Sequence, residues 1–177
     1  YKVLNKISKN NREKIDSYIG IVSNHLHLNN LDSVIYYSEQ INNYDKISFT
    51  NRNKINLLKA KSYLKNNNKS SAIDMLLTTI NLVKDASASE AQYLLAELFF
   101  NKNEKKQALE TLYTLNENFI SQKYWVGKSY LLIAKIFISM DENFQAKATL
   151  NSLIDNSEIE IIKKEAIGLL NKLNRNE

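Results

Sequence analysis

Cysteine and proline are absent from the 177 residues, and glycine occurs three times. Without cysteine the chain forms no disulfide and offers no thiolate, a state compatible with any compartment. With so little glycine and no proline, a β-rich domain would lack the residues that its many tight turns require. Three scattered glycines also cannot build a phosphate-cradling loop, and no P-loop, GxGxxG, HExxH or nucleophile-elbow pattern occurs. No apolar run reaches the length of a membrane span. The two histidines, His25 and His27, stand two apart, so on a helix they point to different sides and do not share a metal. Asp141 with Glu142 reads as a turn and helix start, and Glu158 with Glu160 as a helix start, rather than as catalytic pairs. The expectation is a protein that is not an enzyme, with no catalytic, metal or cofactor-binding residue.

What is present is ordinary in bulk and uneven in detail. Hydrophobic residues make up 44% and charged residues 24%, a balance close to that of an ordinary soluble globular protein. The net charge of +5 is concentrated early: residues 1–70 hold 12 Lys/Arg against 5 Asp/Glu, and residues 71–177 hold 12 against 14. Between Asp45 and Asp74 there is no acid, while Lys46, Arg52, Lys54, Lys59, Lys61, Lys65 and Lys69 all fall there. Such a stretch suits an acidic partner, anionic lipid or nucleic acid. The chain opens on Tyr1 without a methionine or signal-like segment, and it reads as an excerpt of a longer protein.

Four segments align without internal gaps. Leu95-Ala96 is followed by Phe99, Ala108 and Leu112; Ile133-Ala134 by Phe137, Ala146 and Leu150. The second unit gives Ala60, Tyr63, Ala72 and Leu76, and the first Ile21-Val22, His25, Val34 and Ser38. Val22 to Val34, Ala60 to Ala72, Ala96 to Ala108 and Ala134 to Ala146 are each 12 apart, while successive units are offset by 38, 36 and 38. A constant interval inside the unit and a slightly variable one between units predicts a helix-turn-helix repeat, with the small residues admitting close approach. His25, at the aromatic position of the first unit, is expected to pack in the core.

Paired helices are predicted at 11–28 with 31–43, 48–66 with 69–83, 87–101 with 104–117, and 121–139 with 143–155. A capping helix follows at 157–174, and residues 2–9 read as the tail of a preceding helix. The whole of 1–177 is expected to be one helical-repeat domain, with repeats at 11–43, 48–83, 87–117 and 121–155. Ser87-Ala88-Ser89-Glu90 and Ser157-Glu158-Ile159-Glu160 both read as capping boxes.

A small residue mid-helix, an aromatic three later, an alanine twelve later and a large residue four beyond resemble the tetratricopeptide repeat. That resemblance implies a right-handed α-α superhelix and a protein-binding role, with no catalytic residue to carry over. The chain departs from the family in lacking the usual proline, in placing Lys59 at a normally apolar position and in exceeding the typical unit of about 34 residues. Residues 123–154, KYWVGKSYLLIAKIFISMDENFQAKATLNSLI, further resemble the closing repeats of exported repeat proteins from Bacteroidetes. This implies a bacterial cell-envelope location, in the periplasm or at the outer membrane, with the cytoplasm as the alternative.

In such repeats the first helix of each pair lines the concave surface, and its residues recur at intervals of three and four. The projected positions are Asp16, Ile19, Ser23 and Leu26, then Lys54, Leu57, Lys61 and Leu64. Glu90, Tyr93, Glu97 and Phe100 follow, and then Lys128, Leu131, Lys135 and Ile138. The charges alternate as Lys54, Glu90, Lys128 and as Lys61, Glu97, Lys135, with apolar rows between them. One reading is a groove for an amphipathic helix or extended peptide. The other is a ladder of ion pairs holding the helices in register. Glu90 and Glu97 opposite Lys54 and Lys61 argue against a basic clamp for terminal carboxylates.

The expected function is therefore a scaffold or adaptor binding a protein or peptide. A sensory or regulatory repeat region of a larger signalling protein is the alternative. Nucleic-acid binding is disfavoured, because Lys59 points away from Lys54 and Lys61 and the two glutamates interrupt the basic track. Open solenoid ends also expose apolar surface, which permits self-association.

Overall fold

The computed structural model describes residues 10–41 and 47–175, so the expected helix tail at 2–9 and the last part of the second helix fall outside the described residues. These residues form α-helices and no strand. In chain order they are α1 (Asn11–His27), α2 (Leu31–Gln40), α3 (Phe49–Lys65), α4 (Lys69–Leu82), α5 (Ala86–Asn101), α6 (Lys105–Asn118), α7 (Lys123–Ser139), α8 (Asn143–Asn156) and α9 (Glu160–Arg175). The fold is an all-α helical repeat. Two compact units divide inside α5, one comprising residues 1–91 and the other 92–177.

The links within pairs show how a glycine-poor chain turns. Asn29, Asn67, Asn103 and Asp141 adopt left-handed backbone with φ of 57°, 55°, 63° and 60°. Each is the second residue after a first helix, where a helix commonly stops on a glycine; Asn and Asp tolerate the conformation because their short side chains bond locally. The amide one residue on reaches back five positions in every case: Asn30 to His25, Asn68 to Tyr63 and Glu104 to Phe99 at 2.9 Å, and Glu142 to Phe137 at 3.0 Å. The left-handed residue bonds back three positions, to Leu26, Leu64, Phe100 and Ile138. Both bonds of a Schellman cap are therefore present four times. In the first unit the same link then starts the next helix, since Asn30 and Asn68 side chains accept from the Ser33 and Ser71 amides at 3.3 and 3.2 Å. Replacing Asn103 by glycine is expected to stabilise the protein by up to about 1 kcal/mol, and alanine there to destabilise it by about 1 kcal/mol, measured by chemical denaturation.

The small residues do what their spacing predicts. Ala60, Ala72, Ala96, Ala108, Ala134, Ala146 and Val34 have no exposed surface, and Val22 retains 1%. In the first unit, Val22 and Val34 pack with Leu26 against Leu31, Tyr37 and Leu58, while Ile15, Ile41, Ile47 and Ile55 form a second cluster. In the second unit, Ala134 joins Leu131, Leu150, Leu153, Ile162 and Ala166 in one core that ties α7, α8 and α9 together. His25 stacks on Tyr37 at 5.1 Å, so it fills the aromatic core position. Lys59, at a normally apolar position, reaches Glu39 at 3.9 Å with its side chain 17% exposed.

Two expected capping boxes are corrected. α5 opens one residue earlier, where the Asp85 carboxylate accepts from the Ala88 amide at 2.9 Å, and Ser87 is buried instead. The same Asp85 oxygen takes the amide of Asn53 at 3.1 Å, and Asn53 also donates to the Val83 carbonyl at 2.9 Å, so a buried side chain of α3 fixes the entry to α5. At the last helix, Ser157 accepts from Ile159 rather than Glu160, at 3.2 Å, and α9 begins later than expected. Ser-x-x-Glu spacing is matched in both places, but a better acceptor or a tighter local turn takes the amide.

Gly127, inside α7, is buried. A Cβ built there would lie 2.9 Å from Ile162 Cγ2 and 3.1 Å from its Cγ1, so α9 approaches through the missing side chain. Gly127→Ala is expected to cost about 1–3 kcal/mol, and less when combined with Ile162→Ala, so a double-mutant cycle in urea should show clear coupling.

Candidate binding surface

The face presented by the first helices is built separately in each unit. In the first, Lys54 and Asp16 are exposed, Lys61, Leu64, Ile19, Ser23 and Glu90 are half-buried, and Leu57 and Leu26 are buried. Lys61 forms an ion pair with Glu90, joining α3 to α5. Asp16 and Lys54 line an open polar groove of about 760 Å³ with Arg12, Ser48 and Thr50. Three residues of the basic stretch are engaged within the unit: Lys59 meets Glu39, Lys61 meets Glu90, and Lys65 donates to the Leu26 carbonyl at the end of α1, at 3.0 Å. A cation at the carbonyl end of a helix is favourably placed against the helix dipole.

In the second unit, Leu131 is 1% and Tyr93 8% exposed, so both belong to the packed interior. Phe100 and Ile138 are half-buried, and Lys135 is exposed. Lys128 reaches not the α5 acids but Glu165 on α9, at 3.1 Å. Tyr93 packs on Trp125 at 5.4 Å, Tyr124 stands edge-on to Trp125, and the Tyr93 hydroxyl points at Glu97 from 3.4 Å. Each charge row is thus partly structural. Lys61 to Glu90 crosses the two predicted rows diagonally, Lys128 is held by the last helix, and among the described residues Lys54 and Lys135 form no ion pair. Leu64, Phe100 and Ile138 present apolar surface about two turns beyond the buried Leu57, Tyr93 and Leu131, and Ile19 is half-buried as well. Among the described residues no three metal-ligating side chains cluster. No helix there is long and apolar enough to cross a membrane.

Sequence reasoning missed two residues. Glu165 lies on a helix read only as a cap, and nothing in its spacing marks it as the partner of Lys128. Asn53 occupies a position where its neighbours in the alignment are Ile15, Ser89 and Gly127, so its polarity was the available signal.

Residues 90–119 and 128–157 match the family model of the tetratricopeptide repeat. The fold is a tetratricopeptide-like helical repeat. A crystal structure of a putative kinesin light chain from Podosopora anserina, with nearly identical repeats of this type, superposes with a TM-score of 0.67 at 13% identity, covering 95% of this chain and 88% of that one. The crystal structure of a point variant of that same protein also gives a TM-score of 0.67 at 13% identity, covering 92% and 85%. No curated protein matches the chain significantly. Tetratricopeptide repeats generally bind protein partners and typically serve as non-catalytic scaffolds. The matched segments coincide with α5–α6 and α7–α8, the pairs in which the alanines and the aromatic at their fixed offsets are complete.

Burial, followed by the nearby Glu97 carboxylate, raises the Tyr93 hydroxyl well above the usual tyrosine range. A raised pKa keeps the folded state neutral while the unfolded chain ionises. Its contribution is full below about pH 10 and is lost as pH climbs further. In an alkaline absorbance titration, Tyr93 is expected to ionise after the more exposed tyrosines, and Tyr93→Phe should remove the latest component.

Proposed function

We propose that the chain is a non-catalytic protein–protein interaction scaffold or adaptor that binds a protein or peptide on the face of its first helices, within a bacterial cell-envelope complex. The observation that carries this reading is the presence of partly exposed apolar side chains on first helices of each unit, Leu64 in one and Phe100 and Ile138 in the other, with Lys135, which forms no ion pair among the described residues, one turn before Ile138. Apolar anchors flanked by charge suit an amphipathic helix or extended segment. The match to a repeat whose members generally bind proteins supports the same reading. The envelope location rests on the resemblance of residues 123–154 to exported repeat proteins.

Affinity capture from an envelope extract tests both parts. The full chain is compared with a Phe100→Ser, Lys135→Glu variant whose helical circular dichroism is unchanged. A protein enriched by the wild type and lost with the variant is the expected result. Equal capture by both removes the first-helix face from the reading, and recovery from the cytosolic fraction alone removes the envelope.

A further inference from the structure

Helix α9 stands where the first helix of a fifth repeat would stand. Ile167-Gly168 follows Ile133-Ala134 by 34 residues, and the same pairing of an apolar with a small residue occurs as Leu95-Ala96 and Ile21-Val22. The packing agrees, since α9 lies against both α7 and α8 as α3 lies against both α1 and α2. What differs is the side that is covered in the other first helices. Ala60, Ala96, Ala134 and Val22 are buried there. Gly168 is exposed, and a Cβ built on it would meet no neighbouring helix within 4 Å. Ile167 is 43% exposed, whereas Ile21, Leu95 and Ile133 before the other small residues are buried. Ile161, seven before Gly168, is 57% exposed, and Ile15, Asn53, Ser89 and Gly127 at that offset are all buried. Two isoleucines thus lie open at positions that the repeat elsewhere covers.

The usual link does not bring a second helix back over this side. Every other first helix ends five residues after its small residue, and the seventh is the left-handed Asn29, Asn67, Asn103 or Asp141. Seven after Gly168 stands Arg175, where α9 is still right-handed helix. Arginine lacks the short polar side chain that makes the left-handed turn tolerable. A second copy of the chain is a poor source for the missing helix. Its other described helices already have partners in the fold, and two α9 helices crossing antiparallel at Gly168 would set Lys164 of each against Lys172 of the other.

We propose that the Gly168 side of α9 is a docking site for an amphipathic α-helix of a partner protein, with a small residue at its crossing point and acids in its first turn. The chain's own hairpins give the geometry: the second helix runs antiparallel, small residue towards small residue, with its first turn beside the last turn of the first helix. On α9 that last turn carries Lys172 and Arg175, both exposed and in no ion pair among the described residues. The acids of α9 are engaged, Glu160 with Lys164 at 3.8 Å and Glu165 with Lys128 at 3.1 Å. Asp155, the exposed acid of α8, comes five residues before α9 begins and so stands at the opposite end from these cations. Acids at a helix amino terminus also suit its dipole, so the two free cations and the partner's first turn favour each other. The site uses none of the residues of the first-helix face proposed above, so either can fail alone.

Fluorescence polarisation of the full chain with a synthetic peptide tests this. The probe is the α6 sequence, residues 104–118, stapled between positions 106 and 110 to hold it helical and altered by Lys105→Glu, so that it begins with two acids. One helix on one face is a small contact, and the expected dissociation constant is on the order of 100 micromolar or below. Gly168→Ala, which installs the residue of the other slots, should bind at least as well; Gly168→Leu, which blocks the crossing, should bind about tenfold or more weakly. Both replacements favour helix over glycine, and circular dichroism checks that the variants stay folded. A probe with Glu104→Lys that retains Lys105 should bind about fivefold or more weakly. No binding up to about 1 mM, equal binding by Gly168→Leu, or equal binding of the Glu104→Lys probe would each overturn the proposal. Dimerisation of the chain in sedimentation equilibrium that Gly168→Leu abolishes would also overturn it, by giving the slot to a second copy.

Discussion

Two helices joined by a three-residue link can lie close along their length only where the residues between them are small. In this chain the requirement is met by pairs twelve positions apart, one on each helix: valines in the first unit of the repeat, alanines in the other three. All but Val22 are wholly buried. Everything larger is arranged around that approach. The leucine or serine four positions later, and the aromatic or histidine three positions after the first small residue, fill the space beside the crossing. The packed density of such an interior leaves little room for substitution in either direction. The alignment repeats because this steric condition repeats.

The chain closes each hairpin without glycine by using asparagine or aspartate at the left-handed position. The bonds of the cap fall on the carbonyl of the aromatic core residue and on that of the following residue, so turn geometry and core packing share one register. Some charged groups then act as fasteners within each unit: Lys61 with Glu90, Lys128 with Glu165, and Lys65 on the end of α1. Partly exposed apolar side chains on the first helices, and the almost bare Phe144 on α8, remain as surface that packing does not explain.

The repeat, the helix bounds and the interior small residues were legible because they follow from fixed offsets along a helix. The described helices begin and end within three residues of expectation. The capping boxes were misread because a Ser-x-x-Glu pattern does not say which side chain caps the helix or which amide it takes: Asp85 takes the Ala88 amide at α5, and Ser157 takes that of Ile159 rather than Glu160 before α9. On the candidate face, periodicity grouped Leu57, Tyr93 and Leu131 with surface positions, and the structure buries all three. Depth depends on how neighbouring helices cross, and that is not written in any single segment. The partner of Lys128 was hidden for the same reason: Glu165 comes from a different helix, 37 residues on.

The claim that small residues at the hairpin crossings determine the fold is tested most directly by two neighbouring leucines. Ala108 is wholly buried at the α5–α6 crossing, and Gln107 beside it is exposed. Chemical denaturation of Ala108→Leu and Gln107→Leu compares the same added bulk on the two sides of one helix. The account predicts a loss of about 1–3 kcal/mol or more for Ala108→Leu and a change within about 0.5 kcal/mol for Gln107→Leu. Equal tolerance of both would contradict it.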